Sequence, residues 1–405
     1  MARIGFAFNL KPEPGAALDA DAVNGPRPDD EPPSTRRDTA SRTADSPASP
    51  SSRSAGAALA ASLPTSDEYA EWDTHETIDA VASALAALGE VVRLEADEHF
   101  PERLRSERPD LVFNIAEGLR GVNREAHVPA ICEFFGVPYS GSDPFTLSLC
   151  LDKARTKEIL SFHGIETAPF AVIASIDRWA ELRRRVAGGP LSLPLFVKPV
   201  HEGSSKGITE KSLCRTLPDL ERQVEFLLET YAQPVIVETW LPGAEFTCAI
   251  LGNGDATRLL PIVGMRFDSL PDGSLPIYGF EAKWVWDVPE RPLDIFECPA
   301  RIPESLRREI ERIVLAAYTV LGCRDWSRID VRLDAAGCPN VVEVNPLPGI
   351  LPDPRDNSCF PKAARAAGIG YDQLIQSCAL VAAERQGISL DRPATRPARR
   401  AVAGS

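Results

Sequence analysis

The sequence predicts an α/β fold built from more than one domain. Apolar residues at helical spacing alternate with short apolar strands along most of the 405 residues. The stretch Ser327–Gly349 reads as two strands joined by a turn. One long segment, 11–66, interrupts the alternation with Pro, Ser, Ala, Asp and Arg and contains no aromatic residue.

The elements follow in order. Residues 2–10, ARIGFAFNL, form a first strand. Residues 11–66 cannot bury enough apolar surface to offset their ordering entropy, so they are expected to be a disordered insertion. A helix is expected over 69–88, where Ile78, Val81, Ala82, Leu85 and Leu88 repeat at helical spacing. A strand at 90–94, a helix near 100–107, a strand at 110–115, a helix at 124–136 and a Pro-containing entry at 138–144 complete a small open α/β unit. A helix at 152–163 leads into a second unit. A third unit holds the loop around 278–284, a helix at 303–321, the Ser327–Gly349 hairpin and a helix at 371–385. The expected organisation is an N-terminal α/β domain (1–10 and 67–150), the insertion (11–66), a central subdomain (151–235), a C-terminal subdomain (236–386) and a loose tail (387–405).

Composition narrows the function. The formal net charge of −14 disfavours nucleic acid and anionic membrane as partners. No run of 18 uncharged apolar residues appears and the first residues lack a signal-peptide layout, so a cytoplasmic location is expected. Nine cysteines without a C-x-x-C pair fit reduced, mostly buried thiols.

Three segments carry chemistry. In SRIDVRL, Arg328 and Asp330 share one strand face; in VVEVN, Glu343 and Asn345 share one face. Oxygen ligands without His or Cys suit a hard cation, best Mg²⁺ (or Mn²⁺) held jointly with phosphates. A solvated strand face has the same alternation, so the hairpin alone leaves both readings open. In PLFVKPVHEGSSKG (194–207) an apolar run ends at Lys198 and a Gly/Ser loop follows, whose backbone N–H groups, hydroxyls and Lys206 suit an anion. The same GSSKG fits a hydrolase nucleophile elbow centred on Ser205, but no amphipathic helix follows it as that elbow requires. In VIVETWLPGAEFTCAIL (235–251) two strands flank Pro242-Gly243, with Glu238 ending the first and Glu245 opening the second.

Taken in order, LDKARTK (151–157), FVKPVHEGSSKG (196–207), VETWLPGAEFTCAIL (237–251), YGFEAKW (278–284), SRIDVRL (327–333) and VVEVNPLPG (341–349) resemble the ATP-grasp superfamily, and within it the D-alanine–D-alanine ligases. The resemblance spans roughly residues 69–385 and implies an ATP-grasp fold with an N-terminal open α/β domain. It implies Lys153 and Lys198 on the ATP phosphates, Glu238 and Glu245 on adenine and ribose, and Trp240 and Leu241 at the adenine hinge. Lys283 would close over the phosphates. Asp330, Glu343 and Asn345 would hold Mg²⁺. Arg328 and the Gly349 N–H would hold substrate and the developing oxyanion, and Ser204 would sit near the first substrate. The implied activity is ATP-dependent carboxylate–amine ligation of small amino-acid substrates in peptidoglycan biosynthesis, with a homodimer among the open oligomeric states.

Two departures concern the substrates. The family's first-substrate glutamate has no clear counterpart beside the insertion; within EWDTHETID the candidate is Glu76, with Asp73 behind it. After Gly349 the chain reads ILPDPRDNSCF in place of the family's short serine–leucine stretch, which makes Arg355, Asn357 and Ser358 candidates for the acceptor's carboxylate. Pairing of Arg355 with Asp353 or Asp356 on a solvated loop is the competing expectation. Trp284 stands where the family usually has tyrosine. A ligase of the same fold joining other amino acids or peptides, and a non-catalytic ATP-binding regulator, remain as alternatives. The complete set of lysines and acids argues against the regulator.

Overall fold

The structure, a computed structural model, describes residues 1–12, 69–118, 120–287 and 293–391. The described residues of Met1–Leu10 and from Glu71 onward belong to one compact unit. Residues 13–68, nearly all of the expected insertion, lie outside the described residues, as does the tail beyond Asp391.

In β1 (Arg3–Phe8) every residue after Arg3 is buried, as a central parallel strand requires. The chain re-enters the unit where Asp73 N–H donates to Asn9 O at 3.0 Å. α1 (His75–Leu85) starts at Thr74, whose hydroxyl accepts from Thr77 N–H, and it buries Ile78, Val81, Ala82 and Leu85. It begins several residues later than its apolar spacing implied, because the Thr74 cap sets the start. β2 (Glu90–Glu95), α2 (Phe100–Glu107) and β3 (Leu111–Asn114) follow, giving a parallel sheet in the order β2-β1-β3. α3 (His127–Phe135) stops at Gly136, whose φ of +67° favours glycine.

The expected entry at 138–144 instead leads into a further helix. Asp143 caps α4 (Pro144–Leu151), with Pro144 in its first turn, where a missing N–H costs nothing. Asp152 is extended and caps α5 (Lys153–Phe162), accepting from Ala154 N–H at 3.0 Å and Arg155 N–H at 2.9 Å. That cap places Lys153 at the opening of a helix.

The second unit comprises β4 (Phe170–Ile173), α6 (Trp179–Gly188), β5 (Leu195–Pro199), β6 (Leu213–Cys214), α7 (Leu217–Tyr231) and β7 (Val235–Thr239). Its antiparallel sheet runs β4-β7-β5-β6. Neither α6 nor α7 was assigned from sequence, although α7 carries a legible stripe, Leu220, Val224 and Leu227, behind a Thr216 cap.

The third unit opens with β8 (Glu245–Leu251), β9 (Arg258–Leu259), β10 (Val263–Met265) and β11 (Phe296–Glu297). α8 (Glu304–Val320), β12 (Trp326–Leu333), β13 (Pro339–Asn345), α9 (Cys359–Ala366) and α10 (Tyr371–Gln386) complete it. The antiparallel sheet runs β11-β10-β8-β12-β13, with β9 on β8. Residues 388–391 stay packed: Leu390 is buried and Asp391 N–H donates to Leu88 O at 3.1 Å, so no loose tail begins at Gly387.

All nine cysteines are free and six are buried. No helix among the described residues is long and apolar enough to cross a membrane.

One apolar cluster joins the first and third sheets, combining Ile4, Phe6 and Phe113 with Trp326, Phe360 and Leu374. Trp326 is its keystone, edge-on to Phe113 at 4.9 Å between ring centroids and to Phe360 at 6.3 Å. Trp326→Ala leaves a cavity there, and the expected loss is about 3–5 kcal/mol. Urea unfolding should show a lower midpoint; an unchanged midpoint would mean that the two sheets are not held together by this residue.

Candidate functional site

The β12–β13 hairpin builds one wall. Its register pairs Asp330 with Glu343 and Arg328 with Asn345, with an irregularity between Asp330 and Val331. The two strands therefore bring both carboxylates together. Arg328 donates from Nε and Nη2 to the two Asp330 oxygens at 3.1 and 2.9 Å. The Thr247 hydroxyl donates to Asp330 Oδ1 at 2.5 Å. Glu343 Oε1 lies 2.9 Å from Lys153 Nζ. Burial works against the Glu343 carboxylate, yet Lys153, Lys198 and Arg328 together hold its pKa below the ordinary range. The Asn345 side-chain oxygen accepts from Leu347 N–H at 3.1 Å. Among the described residues no group of three or more His, Cys, Asp and Glu forms a metal cage. The all-oxygen set Asp330, Glu343 and Asn345 suits a hard cation that takes its remaining ligands from phosphate and water.

The lysines form the floor. Lys153 and Lys198 are both buried. Lys198 Nζ sits 2.8 Å from Glu238 Oε1, and Lys157 Nζ sits 2.8 Å from Glu238 Oε2. Burial alone would raise the Glu238 pKa, but the two lysines bring it down to about 2. Glu238 is thus an internal counter-ion for two lysines. Lys157 was missed from sequence; the available signal was its spacing, one helical turn after Lys153 in LDKARTK. Trp240 stacks on Phe196 at 5.5 Å, Leu241 is buried beside it, and Glu245 Oε2 accepts from Arg332 Nη1 at 2.5 Å.

The Gly/Ser loop forms the far end. Ser204 and Ser205 have φ of +49° and +63°, a conformation that non-glycine residues rarely adopt. Lys283 Nζ donates to the Ser204 hydroxyl at 3.3 Å, and the Ser205 hydroxyl donates to Tyr278 O at 2.8 Å. The Ser205 oxygen thus meets a carbonyl rather than a base, and a short 3-10 turn at Glu210–Ser212 follows, which closes the hydrolase reading. The carboxylate that reaches this loop is Glu71, not Glu76. Glu76 is exposed in the first turn of α1. Glu71 accepts from Arg124 Nη2 at 3.0 and 3.2 Å and from Lys206 Nζ at 3.0 Å. It presses so close to the loop that a Cβ on Gly203 would lie 2.3 Å from its Oε1, so a larger residue there would displace the Glu71 carboxylate. Arg124 also donates to His201 O at 3.0 Å. Burial pushes the carboxyls of Asp73 and Glu125 up to about 7.

The segment after Gly349 differs from expectation. Arg355 points to solvent, with 86% of its side chain exposed, and pairs with Asp353 through contacts of 2.5 to 3.1 Å. A short side-chain loop therefore captures Arg355 locally, and it does not line the cleft. Ser358 is buried; its hydroxyl donates to Gly349 O and accepts from Leu351 N–H, both at 3.2 Å, so it pins the segment. Gly349 itself is exposed. Asn357 Nδ2 donates to Asp287 at 2.5 Å, and Tyr278 OH donates to the same carboxylate oxygen at 2.8 Å, tying this segment to the Lys283 loop. The side chain of Trp284 lies outside the described set.

Burial and the neighbouring Arg328 push the Lys283 pKa down to about 8. Lys283 is therefore cationic below that pH and neutral above it. An anion that needs the charge should bind less well as pH rises from 7 to 9, with proton uptake on binding in that window. Calorimetry in two buffers of different ionisation enthalpy measures both; Lys283→Arg should flatten the dependence.

Known proteins are similar to this chain in sequence and in fold. A family model described as the D-ala D-ala ligase C-terminus matches residues 159–379. An uncharacterized protein, y4sG, of Sinorhizobium fredii is 33% identical over 323 residues, covering 78% of this chain and 89% of that protein. A D-alanine–D-alanine ligase of Mannheimia succiniciproducens is 33% identical over 298 residues, covering 73% of this chain and 89% of the ligase. The crystal structure of the Bacillus anthracis D-alanine–D-alanine ligase complexed with ATP superposes with a TM-score of 0.58 at 22% identity, over 95% of this chain and all of that one. With more than half of its length inside the family model, the chain belongs to the D-alanine–D-alanine ligase family and is an ATP-dependent carbon–nitrogen ligase with the ATP-grasp fold.

Proposed function

We propose that the chain joins two amino-acid substrates through an acyl phosphate, with ATP and Mg²⁺, in the cytoplasm. The observation that carries this reading is the placement of Asp330 opposite Glu343, with Lys153 on Glu343 and Arg328 on Asp330. Metal-type oxygens, phosphate-type lysines and a substrate-type arginine converge on one wall.

The first substrate's carboxylate oxygen attacks the γ-phosphorus and ADP leaves. The second substrate's neutral amine then attacks the acyl carbon, the tetrahedral intermediate expels phosphate, and the amine proton is lost. Phosphorylation is needed because a carboxylate has no leaving group better than oxide. Lys153, Lys198 and Lys283 orient and neutralise the phosphates, and Arg328 holds the carboxylate and the oxyanion that develops from it. Asp330, Glu343 and Asn345 would hold Mg²⁺, which supplies charge screening between nucleophile and phosphate. No step needs a covalent protein nucleophile.

D-alanine is the first expectation for both substrates, and peptidoglycan precursor synthesis the expected setting. A second reading, a ligase for other amino acids or peptides, is favoured by Glu71. The Glu71 carboxylate, packed against Gly203, already carries two cations, Arg124 and Lys206, so it is poorly placed to receive the ammonium of a free amino acid.

ATP-dependent phosphate release with D-alanine alone, and with a panel of D- and L-amino acids, separates these readings. Asp330→Asn should lower turnover with the accepted pair by roughly a hundredfold or more while leaving the melting curve intact. Near-wild-type turnover at limiting Mg²⁺ would sink the metal assignment. Phosphate release with no amino acid in the panel would remove the ligase reading.

A further inference from the structure

Arg332 is the charged residue on β12 that the ligation chemistry does not use. Side chains alternate along a strand, so Arg328, Asp330 and Arg332 lie in a row on one face. In the proposed reaction Arg328, at one end of that row, serves the substrate and Asp330, in its middle, the metal and phosphates, which leaves Arg332, at the other end, for the nucleoside. Only 4% of Arg332 is exposed. Its three nitrogens are each committed to a different segment. Nε donates to Leu241 O at 2.6 Å, Nη1 to Glu245 Oε2 at 2.5 Å and Nη2 to Pro276 O at 2.9 Å. Its guanidinium carbon lies 4.3 Å from the Trp240 ring centroid and 5.9 Å from that of Phe267.

With each of its nitrogens bonded to the protein, the guanidinium acts through its partners. Glu245 is the partner that faces the cleft: its side chain is 20% exposed, against 5% for Arg332. The guanidinium takes Oε2 and leaves Oε1 to accept from a ligand. An ionised carboxylate accepts only, so the group it suits is a donor such as a ribose hydroxyl.

We propose that Arg332 is a positioning residue for the nucleoside, holding Glu245 in the one orientation that accepts from the ribose hydroxyls and thereby favouring ribonucleotides over 2′-deoxyribonucleotides. This rests on the reading of the cleft as an ATP site. The same guanidinium ties the hinge carbonyl of Leu241 to β12, so the hinge and the ribose acceptor are set by one group. Lysine cannot replace it, because one ammonium does not reach three acceptors in a planar fork.

The test compares ATP with 2′-deoxyATP on the full chain, by calorimetric Kd and by KM and kcat for phosphate release. The wild type should bind ATP about tenfold more tightly than 2′-deoxyATP, a gap of one ordinary hydrogen bond. Arg332→Met should raise the Kd for ATP by about tenfold more than it raises the Kd for 2′-deoxyATP, and raise KM for ATP with little change in kcat. Glu245→Gln should collapse the ratio in the same way, and the double variant should lose nothing further. Arg332→Lys, the milder change, should fall between and carries the test if Arg332→Met does not fold. A wild type that binds both nucleotides equally, or a ratio that survives in both single variants, overturns the proposal. A ratio that collapses as described in a protein that ligates no amino acid supports the role of Arg332 while overturning the proposed reaction.

Discussion

The cleft depends on the buried carboxylate of Glu238. It is held by Lys157 from α5 and Lys198 from β5, each at 2.8 Å. Two ammonium groups could not be kept charged at that depth without it. Removing one member of such a set leaves a buried charge uncompensated, a loss of about 3–5 kcal/mol. The set is therefore unequal in charge, two positive to one negative.

The same helix makes a second crossing. Lys153, one turn before Lys157, pairs with Glu343 on β13. Lys157 also donates to the Thr167 hydroxyl, which donates in turn to Val341 O. Through these contacts α5 is fastened to β7 in one sheet and to β13 in another. The Asp152 cap that starts α5 thus decides where both lysines enter the cleft. In a chain of net charge −14 the buried lysines of the cleft are held by specific acids, Lys153 by Glu343 and both Lys157 and Lys198 by Glu238.

The Gly/Ser loop shows the cost of this arrangement. Two consecutive serines with positive φ store of order 1–3 kcal/mol each. The contacts of Ser204 with Lys283 and of Ser205 with Tyr278 hold that geometry from one side, and Lys206 with Glu71 holds it from the other. Strain that persists only because its surroundings over-determine it is expected where backbone N–H groups must face a ligand.

Much of this was legible in the chain. The alternation of Arg328 and Asp330, and of Glu343 and Asn345, is a period-two pattern that fixes which residues share a face before any partner is known. The α/β order and the successive motifs are likewise local. Partners are not local, and there the readings failed. Glu76 and Glu71 are both acids beside the same helix, but only Glu71 meets Arg124, 53 residues on, and Lys206, 135 residues on. Arg355 had the right chemistry for a carboxylate and found one two residues away, at Asp353. Lys157 offered only its spacing from Lys153 and Arg332 only its strand face, because their roles come from Glu238 and Glu245 on other strands. The sequence by itself determined the element types, the faces of the hairpin and the kind of chemistry that its residues allow. Only the tertiary structure decided which charges meet, because hydrogen bonds reach about 3 Å and long-range packing alone brings distant residues that close.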